Sequence, residues 1–356
     1  MKKSYSQLGQ RRLFSLLLCV VLVFLSAPAK LASQDQASNQ PKPDSTVELV
    51  KLYVSVSDKS GDFISKLNYY DFEVFCDNVP QSVSYFAKKD EPVGIVFLVD
   101  MSGSMRNMLS LPSSFRPVGF ESGWKGTYQK LIASIPAFME NSHRMNEYSM
   151  ILFNQQSWLV LGWTRDRQEI EKSLSMVSAT QPIGQTSLYD SLVTAIEQAK
   201  GSSYSKKAII LLTDGVDSTS KTERSKLNKV LQENNVPVYS ISLNHELFSL
   251  KNHFSSTDLQ KKAAEEFFTD LAVMTGGISF FPLNEKELSA CLDNVAKELR
   301  NQYVIGFKPN CNHKTNKPHQ VKVRLAKEAA LAPMSKTISI RHREEYKTSL
   351  ALSNPK

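Results

Sequence analysis

The sequence has few of the features that mark several large classes of protein. It has only four cysteines in 356 residues, so a hydrophobic core, not a disulfide framework, is expected to hold the fold. It has no long run of basic residues: the net charge is +8, and Lys2, Lys3, Arg11 and Arg12 supply four of these charges. This distribution argues against a nucleic-acid-binding surface. Hydrophobic residues make up 41% and charged residues 22%, which excludes a disordered chain and a multi-span membrane protein.

The amino terminus has the pattern of an export signal. Arg11 and Arg12 precede a nearly unbroken apolar run over residues 13–25, and Ala27-Pro28-Ala29 then supplies small residues for signal peptidase. The run is shorter than the roughly 20 residues that span a bilayer, so we predict a cleaved signal peptide over residues 1–29. An uncleaved membrane anchor is the alternative. No later segment reads as a membrane span, and we expect a protein of the periplasm, cell envelope or extracellular space.

Three cysteines would remain after cleavage: Cys76, Cys291 and Cys311. They allow one disulfide, and the sequence does not identify which pair forms it. His319 lies near two lysines in a segment that resembles a hairpin turn, so we expect its side chain to be exposed to solvent.

Strand and helix patterns divide the rest of the chain into two kinds of structure. Residues 30–46 are polar and typical of a flexible linker. Short strand patterns occupy residues 47–90 and return in residues 302–346, before a tail over residues 347–356. Residues 91–301 alternate buried strands with helices, which predicts an α/β fold: a doubly wound, mostly parallel sheet with helices on both faces.

The short strands at the two ends of the chain are too few to form two stable modules, because about three short strands do not fold independently. We therefore expect the N- and C-terminal strands to pair into one small β-sandwich, with the α/β domain inserted between them. Two separate β-modules are the alternative.

Oxygen-bearing side chains follow the buried strands of the α/β region. Asp100, Ser102 and Ser104 come directly after the apolar run at residues 93–99, Thr186 precedes a helix, and Asp214 follows a second buried strand. The carboxyl ends of parallel strands share one edge of a sheet, where ligands bind. An all-oxygen set suits a hard divalent cation, Mg²⁺ first, with Mn²⁺ or Ca²⁺ possible. A vacant coordination position would accept a carboxylate from a protein partner.

This arrangement of D-x-S-x-S, a threonine and T-D-G resembles the von Willebrand factor type A domain and its metal-ion-dependent adhesion site, over roughly residues 92–300. Four further motifs are similar to a bacterial exported group, the von Willebrand factor A-related family. They are V-x-V-x-D-x-x-G at 54–61, D-F-x-V at 71–74, T-G-G at 275–277 and Q-Y-x-x-G-F at 302–307. The resemblance implies a Rossmann-like fold and assigns the metal ligands to Asp100, Ser102, Ser104, Thr186 and Asp214.

Each of these motifs also has a purely structural interpretation. Ser104 could cap the next helix, and Ser187 with Asp190 has the spacing of a capping box. Asp214-Gly215 alone is an ordinary turn. Asp217 is a weaker candidate for the site, and we favour a structural role for its loop, in which Ser220 with Glu223 forms a second potential capping box.

A long connection leaves the predicted metal loop. About 20 residues separate Met105 from the next helix where a few would suffice. This segment contains aromatic residues and arginines, which are typical of interface hot spots. We take Arg106, Phe115, Arg116, Phe120 and Trp124 as candidate partner contacts; an insertion whose aromatics pack on a neighbouring helix is the alternative.

The sequence lacks a G-x-S-x-G elbow, a Walker phosphate loop and a credible catalytic triad, so we do not expect an enzyme. We expect an exported, divalent-cation-dependent protein-binding module of the adhesion type, with no nucleic-acid partner and no membrane span after cleavage. A structural scaffold of an envelope complex is one alternative. A metal-dependent hydrolase is another, because an open Mg²⁺ site can activate water.

Overall fold

The computed structural model describes residues 49–88, 90–105, 127–213, 215, 217–243, 256–282, 285–310, 317–327, 329 and 337–347. The predicted signal peptide, the linker and the tail beyond residue 347 lie outside these ranges. Among the described residues, no helix is both long enough and apolar enough to cross a bilayer.

Strands and helices are numbered here in chain order. The strands are β1 (Val50–Ser57), β2 (Phe72–Cys76), β3 (Val79–Gln81), β4 (Val83–Lys88), β5 (Gly94–Asp100), β6 (Glu147–Phe153), β7 (Ser157–Thr164), β8 (Lys207–Thr213), β9 (Val238–Ser242), β10 (Ser279–Phe280), β11 (Tyr303–Phe307), β12 (His319–Leu325), β13 (Ser339–Arg341) and β14 (Glu345–Tyr346). The helices are α1 (Thr127–Asn141), α2 (Arg167–Ala179), α3 (Leu188–Lys200), α4 (Arg224–Glu233), α5 (Ser256–Thr275) and α6 (Glu285–Asn301).

The central sheet has six strands in the order β10-β9-β8-β5-β6-β7. All neighbours are parallel except β7, which runs antiparallel to β6 at the edge. Strand β5 is buried along its whole length, as expected for a strand covered on both faces. One apolar cluster joins the sheet to α1, α2 and α6, and a second joins its other face to α3, α4 and α5. The predicted doubly wound, mostly parallel α/β sheet is confirmed.

The terminal strands form two antiparallel sheets, in the orders β13-β1-β11-β4 and β14-β12-β2-β3. Each sheet combines N- and C-terminal segments, because β1 pairs with β11 and β2 pairs with β12. Their inner faces share one apolar core that includes Leu52, Val74, Ile305 and Val323. The expected β-sandwich of N- and C-terminal strands is therefore present, and the alternative of two separate β-modules is not. The sequence patterns missed β3 and β14, which have only three and two residues.

A buried polar cluster connects the sandwich to the α/β domain. Glu298 on α6 has no exposed surface; it accepts a hydrogen bond from Ser55 on β1 (2.8 Å) and one from Tyr239 on β9 (3.2 Å). Arg341 on β13 forms an ion pair with the same carboxylate. Three strands from both parts of the molecule thus converge on one buried charge.

The T-G-G motif also lies at this junction. Gly276 has φ of +78°, a conformation that favours glycine, and a Cβ atom there would lie 2.6 Å from the backbone nitrogen of Arg343. A Cβ on Gly277 would lie 1.9 Å from the carbonyl oxygen of Val238 at the start of β9. The two glycines therefore allow close approach of the backbone to both parts of the molecule.

Candidate metal centre

The candidate centre begins with Asp100, the last residue of β5, whose side chain is fully buried. Its Oδ1 accepts a hydrogen bond from the backbone N–H of Ser102 (2.7 Å), and its Oδ2 accepts one from the hydroxyl of Thr213 (2.6 Å). Burial raises the pKa of Asp100, although these hydrogen bonds act in the opposite direction. No basic side chain forms an ion pair with Asp100 in the described part of the chain. A buried carboxylate of this kind is costly unless a cation balances it.

Two serine hydroxyls lie next to this carboxylate. Residues 103–105 form a short 3₁₀ turn, and the Oγ atoms of Ser102 and Ser104 are 2.9 Å apart. Ser102 is buried, whereas Ser104 lies at the surface. Backbone hydrogen bonds fix the turn on both sides, from Met101 to the carbonyl of Phe153 (2.6 Å) and from Gly103 to that of Gly184 (2.8 Å).

Thr186 faces the same small space from the start of α3. A Cβ placed on Gly215 would lie 3.4 Å from the Thr186 hydroxyl and 3.7 Å from Oδ2 of Asp100, so both oxygens point toward one position. Ser218 holds the backbone of Thr186 on both sides: its Oγ accepts from the Thr186 N–H (3.0 Å), and its own N–H donates to the Thr186 carbonyl (2.8 Å). The structure thus brings Asp100, Ser102, Ser104 and Thr186 together at the carboxyl edge of the sheet.

The remaining predicted site residues cannot be placed. Asp214 lies outside the described residues, although its neighbours Thr213 and Gly215 are described and both face Asp100 or Thr186. The candidate partner contacts also lie outside them: Arg106, Phe115, Arg116, Phe120 and Trp124.

The predicted capping box of Ser187 with Asp190 is wrong. Ser187 precedes α3 but makes no side-chain cap, because its hydroxyl bonds instead to that of Thr219 (2.9 Å). The N–H of Asp190 donates to Ser220 Oγ (3.1 Å), and the Asp190 carboxylate accepts from the N–H groups of Lys221 and Thr222 (both 2.9 Å). Burial acts to raise the pKa of Asp190, but the hydrogen bonds from Lys221 and Thr222 lower it overall. The loop after β8 therefore caps α3 in place of the local box.

The packing of this loop against α3 also explains why the second predicted capping box, Ser220 with Glu223, does not form, and what Asp217 does. Oδ1 of Asp217 accepts hydrogen bonds from the Tyr189 N–H (3.2 Å) and from the Ser220 hydroxyl. Because Ser220 is used in this way, it does not cap α4, which begins at Arg224 with Glu223 as an N-cap residue that makes no side-chain capping bond. Asp217 thus fixes the loop against the helix, which agrees with the structural role favoured for this loop.

Three residues important for this geometry were not singled out from the sequence: Thr213, Ser218 and Gly184. Thr213 is the threonine of T-D-G, so its position at the end of β8 was a usable signal. Gly184 has φ of +88°, and a Cβ there would lie 2.5 Å from Oε1 of Gln155. Ser218 carried no signal, because its partner Thr186 lies 32 residues away in the sequence.

A second cluster of potential metal ligands lies in the β-sandwich. One ligand atom from each of Cys76, Asp77 and His319 falls within 4.8 Å of the others. However, Cys76 is disulfide-bonded, so its sulfur is not a thiolate, and Asp77 Oδ2 lies 2.7 Å from His319 Nδ1. This hydrogen bond from His319 lowers the pKa of Asp77. His319 is almost fully buried, so the expected solvent exposure of its side chain is wrong.

Comparison with known proteins agrees with this architecture. The family model described as von Willebrand factor type A domain matches residues 95–216, from β5 to just beyond β8. The solved structures that resemble the chain include the PilB minor pilin of Streptococcus sanguinis, at 15% identity and a TM-score of 0.44 over 60% of this chain and 63% of that one. BatB of Bacteroides thetaiotaomicron matches at 14% identity and a TM-score of 0.40 over 58% and 98%.

A third solved structure, a von Willebrand factor type A protein from Catenulispora acidiphila, matches at 11% identity and a TM-score of 0.42, over 86% of this chain and 74% of that one. The family match covers the strands that carry Asp100 and Thr213, and the six-stranded sheet has helices on both faces. On the strength of this match and topology, residues 95–216 belong to a von Willebrand factor type A domain.

Proposed function

We propose that the protein is an exported module that binds a protein partner through a divalent cation. The cation would be held by Asp100, Ser102, Ser104, Thr186 and Asp214. The observation that carries this proposal is the buried Asp100 carboxylate, which has hydroxyl and N–H neighbours but no positive charge beside it in the described part of the chain.

The chemistry of the donor set fits Mg²⁺, with Mn²⁺ or Ca²⁺ as further possibilities. All donors are oxygens, and hard cations select carboxylate and hydroxyl oxygen over nitrogen and sulfur. A divalent ion would balance the charge of the Asp100 and Asp214 carboxylates. Ser104 marks the solvent side of the donor set, so a carboxylate of a partner protein could complete the coordination from that side. Domains of this type commonly bind a divalent metal, which supports the same assignment.

We further propose that the protein is not an enzyme. In the described part of the chain, the hydrogen-bond partners of Asp100 are hydroxyl and backbone N–H groups, and none of them is a histidine, lysine or glutamate that could move a proton. A metal-dependent hydrolase and a metal-independent scaffold remain the alternatives. The predicted signal peptide supports a location in the periplasm, the cell envelope or outside the cell.

The first test measures cation binding directly. Isothermal titration calorimetry with Mg²⁺ and Mn²⁺ should detect one site in the wild-type chain and none in Asp100→Asn. Thermal unfolding should show the same pattern, since a cation at about 100 times its Kd stabilises the folded state by about 2.7 kcal/mol. Asp77→Asn is the matched control, because Asp77 lies in the second ligand cluster. If Asp77→Asn removes binding and Asp100→Asn does not, the site is misassigned.

The second test measures partner binding. Proteins from an envelope extract should be retained by the immobilised wild-type chain in Mg²⁺ and released by EDTA, while Asp100→Asn and Thr186→Ala should retain none of them. Retention that survives EDTA and both substitutions would favour the scaffold. Release of product from phosphoester or peptide substrates, lost with EDTA, would favour the hydrolase.

A further inference from the structure

The border of the candidate metal centre contains a rigidly held apolar residue, Ile183. Its side chain is exposed, with 53% of the residue accessible. Its backbone is nevertheless fixed on both sides: the N–H donates to the Met101 carbonyl (2.7 Å), and its own carbonyl accepts from Nδ2 of Asn154 (2.9 Å). Met101 is the residue between Asp100 and Ser102. Ile183 is therefore exposed on a part of the surface whose backbone is held in place, next to the metal loop.

A second exposed apolar residue, Trp158, lies on the same side of the centre. It is 42% accessible and stands opposite Leu152 in the β6–β7 pair. Leu152 in turn stands beside Val99, the residue before Asp100. Since neighbouring strands are about 4.8 Å apart, the backbone of Trp158 lies roughly 10 Å from that of Val99. Trp158 therefore presents an exposed aromatic side chain two strands away from the end of β5.

The two chain segments that carry these side chains contain no charged residue. Residues 154–164 and 173–189 contain no Asp, Glu, Lys, Arg or His. Their exposed polar groups near the centre are amides: Gln155, Gln156 and Gln185. A charged side chain of a partner that became buried here would find no counter-charge in these two segments, and burying an unpaired charge is costly. This side of the centre therefore favours uncharged partner residues.

We infer that Gln155, Gln156, Trp158, Ile183 and Gln185 form a neutral rim, which selects a protein segment whose metal-binding carboxylate is adjacent to an apolar, uncharged residue. The inference rests on the proposed function and specifies the partner: the cation binds the acidic residue, and the neutral rim contacts the apolar residue beside it. Aromatic and apolar anchors in the centre of an interface commonly supply much of its binding energy.

The test selects ligands from a random-peptide phage library on the immobilised full chain in Mg²⁺, with elution by EDTA. The eluted peptides should contain Asp or Glu next to an aromatic or aliphatic residue. A selected peptide should then bind Ile183→Lys at least about tenfold more weakly than wild type, because the lysine replaces an apolar contact by a charge. Met145→Lys is the matched control: Met145 is 49% accessible and lies just before β6, at the opposite edge of the sheet.

The outcomes separate this inference from the proposed function. If EDTA elutes acidic peptides whose neighbours are polar or charged, or if Ile183→Lys binds as tightly as wild type, the neutral rim has no role although the cation-dependent function stands. If calorimetry shows Mg²⁺ binding but EDTA elutes no peptide, the neutral rim is likewise refuted. If neither Mg²⁺ binding nor peptide elution is seen, both proposals fail. Equal Mg²⁺ affinity of wild type and Ile183→Lys excludes an indirect effect on the metal.

Discussion

Replacing Glu298 by Gln should destabilise the protein by breaking the junction between its two parts. Glutamine keeps the shape of the side chain and can still accept a hydrogen bond from Ser55, but it removes the charge that pairs with Arg341. Removing one partner of a buried ion pair typically costs about 3–5 kcal/mol, because the other charge is left buried. The Arg341 side chain is 28% exposed. Water therefore offsets part of this cost, and we expect a loss of about 2–4 kcal/mol in the free energy of unfolding.

Urea unfolding of four proteins measures this effect: wild type, Glu298→Gln, Arg341→Gln and the double variant. The double variant should lose less stability than the two single variants combined, with a coupling of about 1–3 kcal/mol, because each single variant leaves one charge without its partner. Glu197→Gln is the control, since its ion pair with Lys200 is exposed on the surface and should contribute little. If the two single losses are simply additive, or if Glu298→Gln unfolds at the same urea concentration as wild type, the junction is not held by this pair.

Three further predictions concern other buried groups. Burial lowers the pKa of His342, whose Nε2 accepts a hydrogen bond from the Val323 N–H (3.0 Å). The unfolded chain therefore binds more protons than the folded chain below about pH 6.5, and the free energy of unfolding should fall on acidification. This pH dependence should be weaker in His342→Gln. Burial lowers the pKa of Lys206 from 10.5 to about 8, so the folded state releases this proton at a lower pH than the unfolded state. The free energy of unfolding should therefore rise between about pH 8 and 10, and Lys206→Met should lack this rise. Cys76 is disulfide-bonded and Cys291 is free, so peptide mass mapping without reductant should find Cys76 in a disulfide and Cys291 as a free thiol.

The sequence predicted the structure best where the buried apolar runs and the order of the strands along the chain indicate the same arrangement. The apolar runs of β5 and β8 predict parallel strands buried on both faces, and the topology then brings the ends of these strands to one edge. The helix that follows Thr186 was expected to start at the same edge, which is why Asp100 and Thr186 could be brought together from sequence although they are distant along the chain. Pairing of the terminal strands followed from a similar argument, since neither set of strands can bury its apolar face alone.

The sequence was least informative where a local signal competes with a distant partner. Ser187 and Asp190 have ideal spacing for a capping box, yet the loop after β8 supplies Ser220 to the same helix end, and its amides occupy Asp190. Local spacing cannot rank these alternatives, because hydrogen bonds of either kind contribute similar free energies. His319 is different, since it alternates with the buried Val321 and Val323, and this period of two could have predicted its burial.

The two parts of the fold meet at the edge of the central sheet opposite to the metal centre. Glu298 contacts Tyr239 near the start of β9, and Gly277 contacts Val238 at the same end, whereas Asp100 ends β5 at the other. The seven residues of β5 separate these edges by about 20 Å, since a parallel strand rises about 3.3 Å per residue. The β-sandwich therefore supports the sheet from its amino edge, and none of its described strands lies at the carboxyl edge. Among the described residues, the contacts of the two edges named here share no residue, so stability at the junction and ligand binding at the metal centre can vary independently of each other.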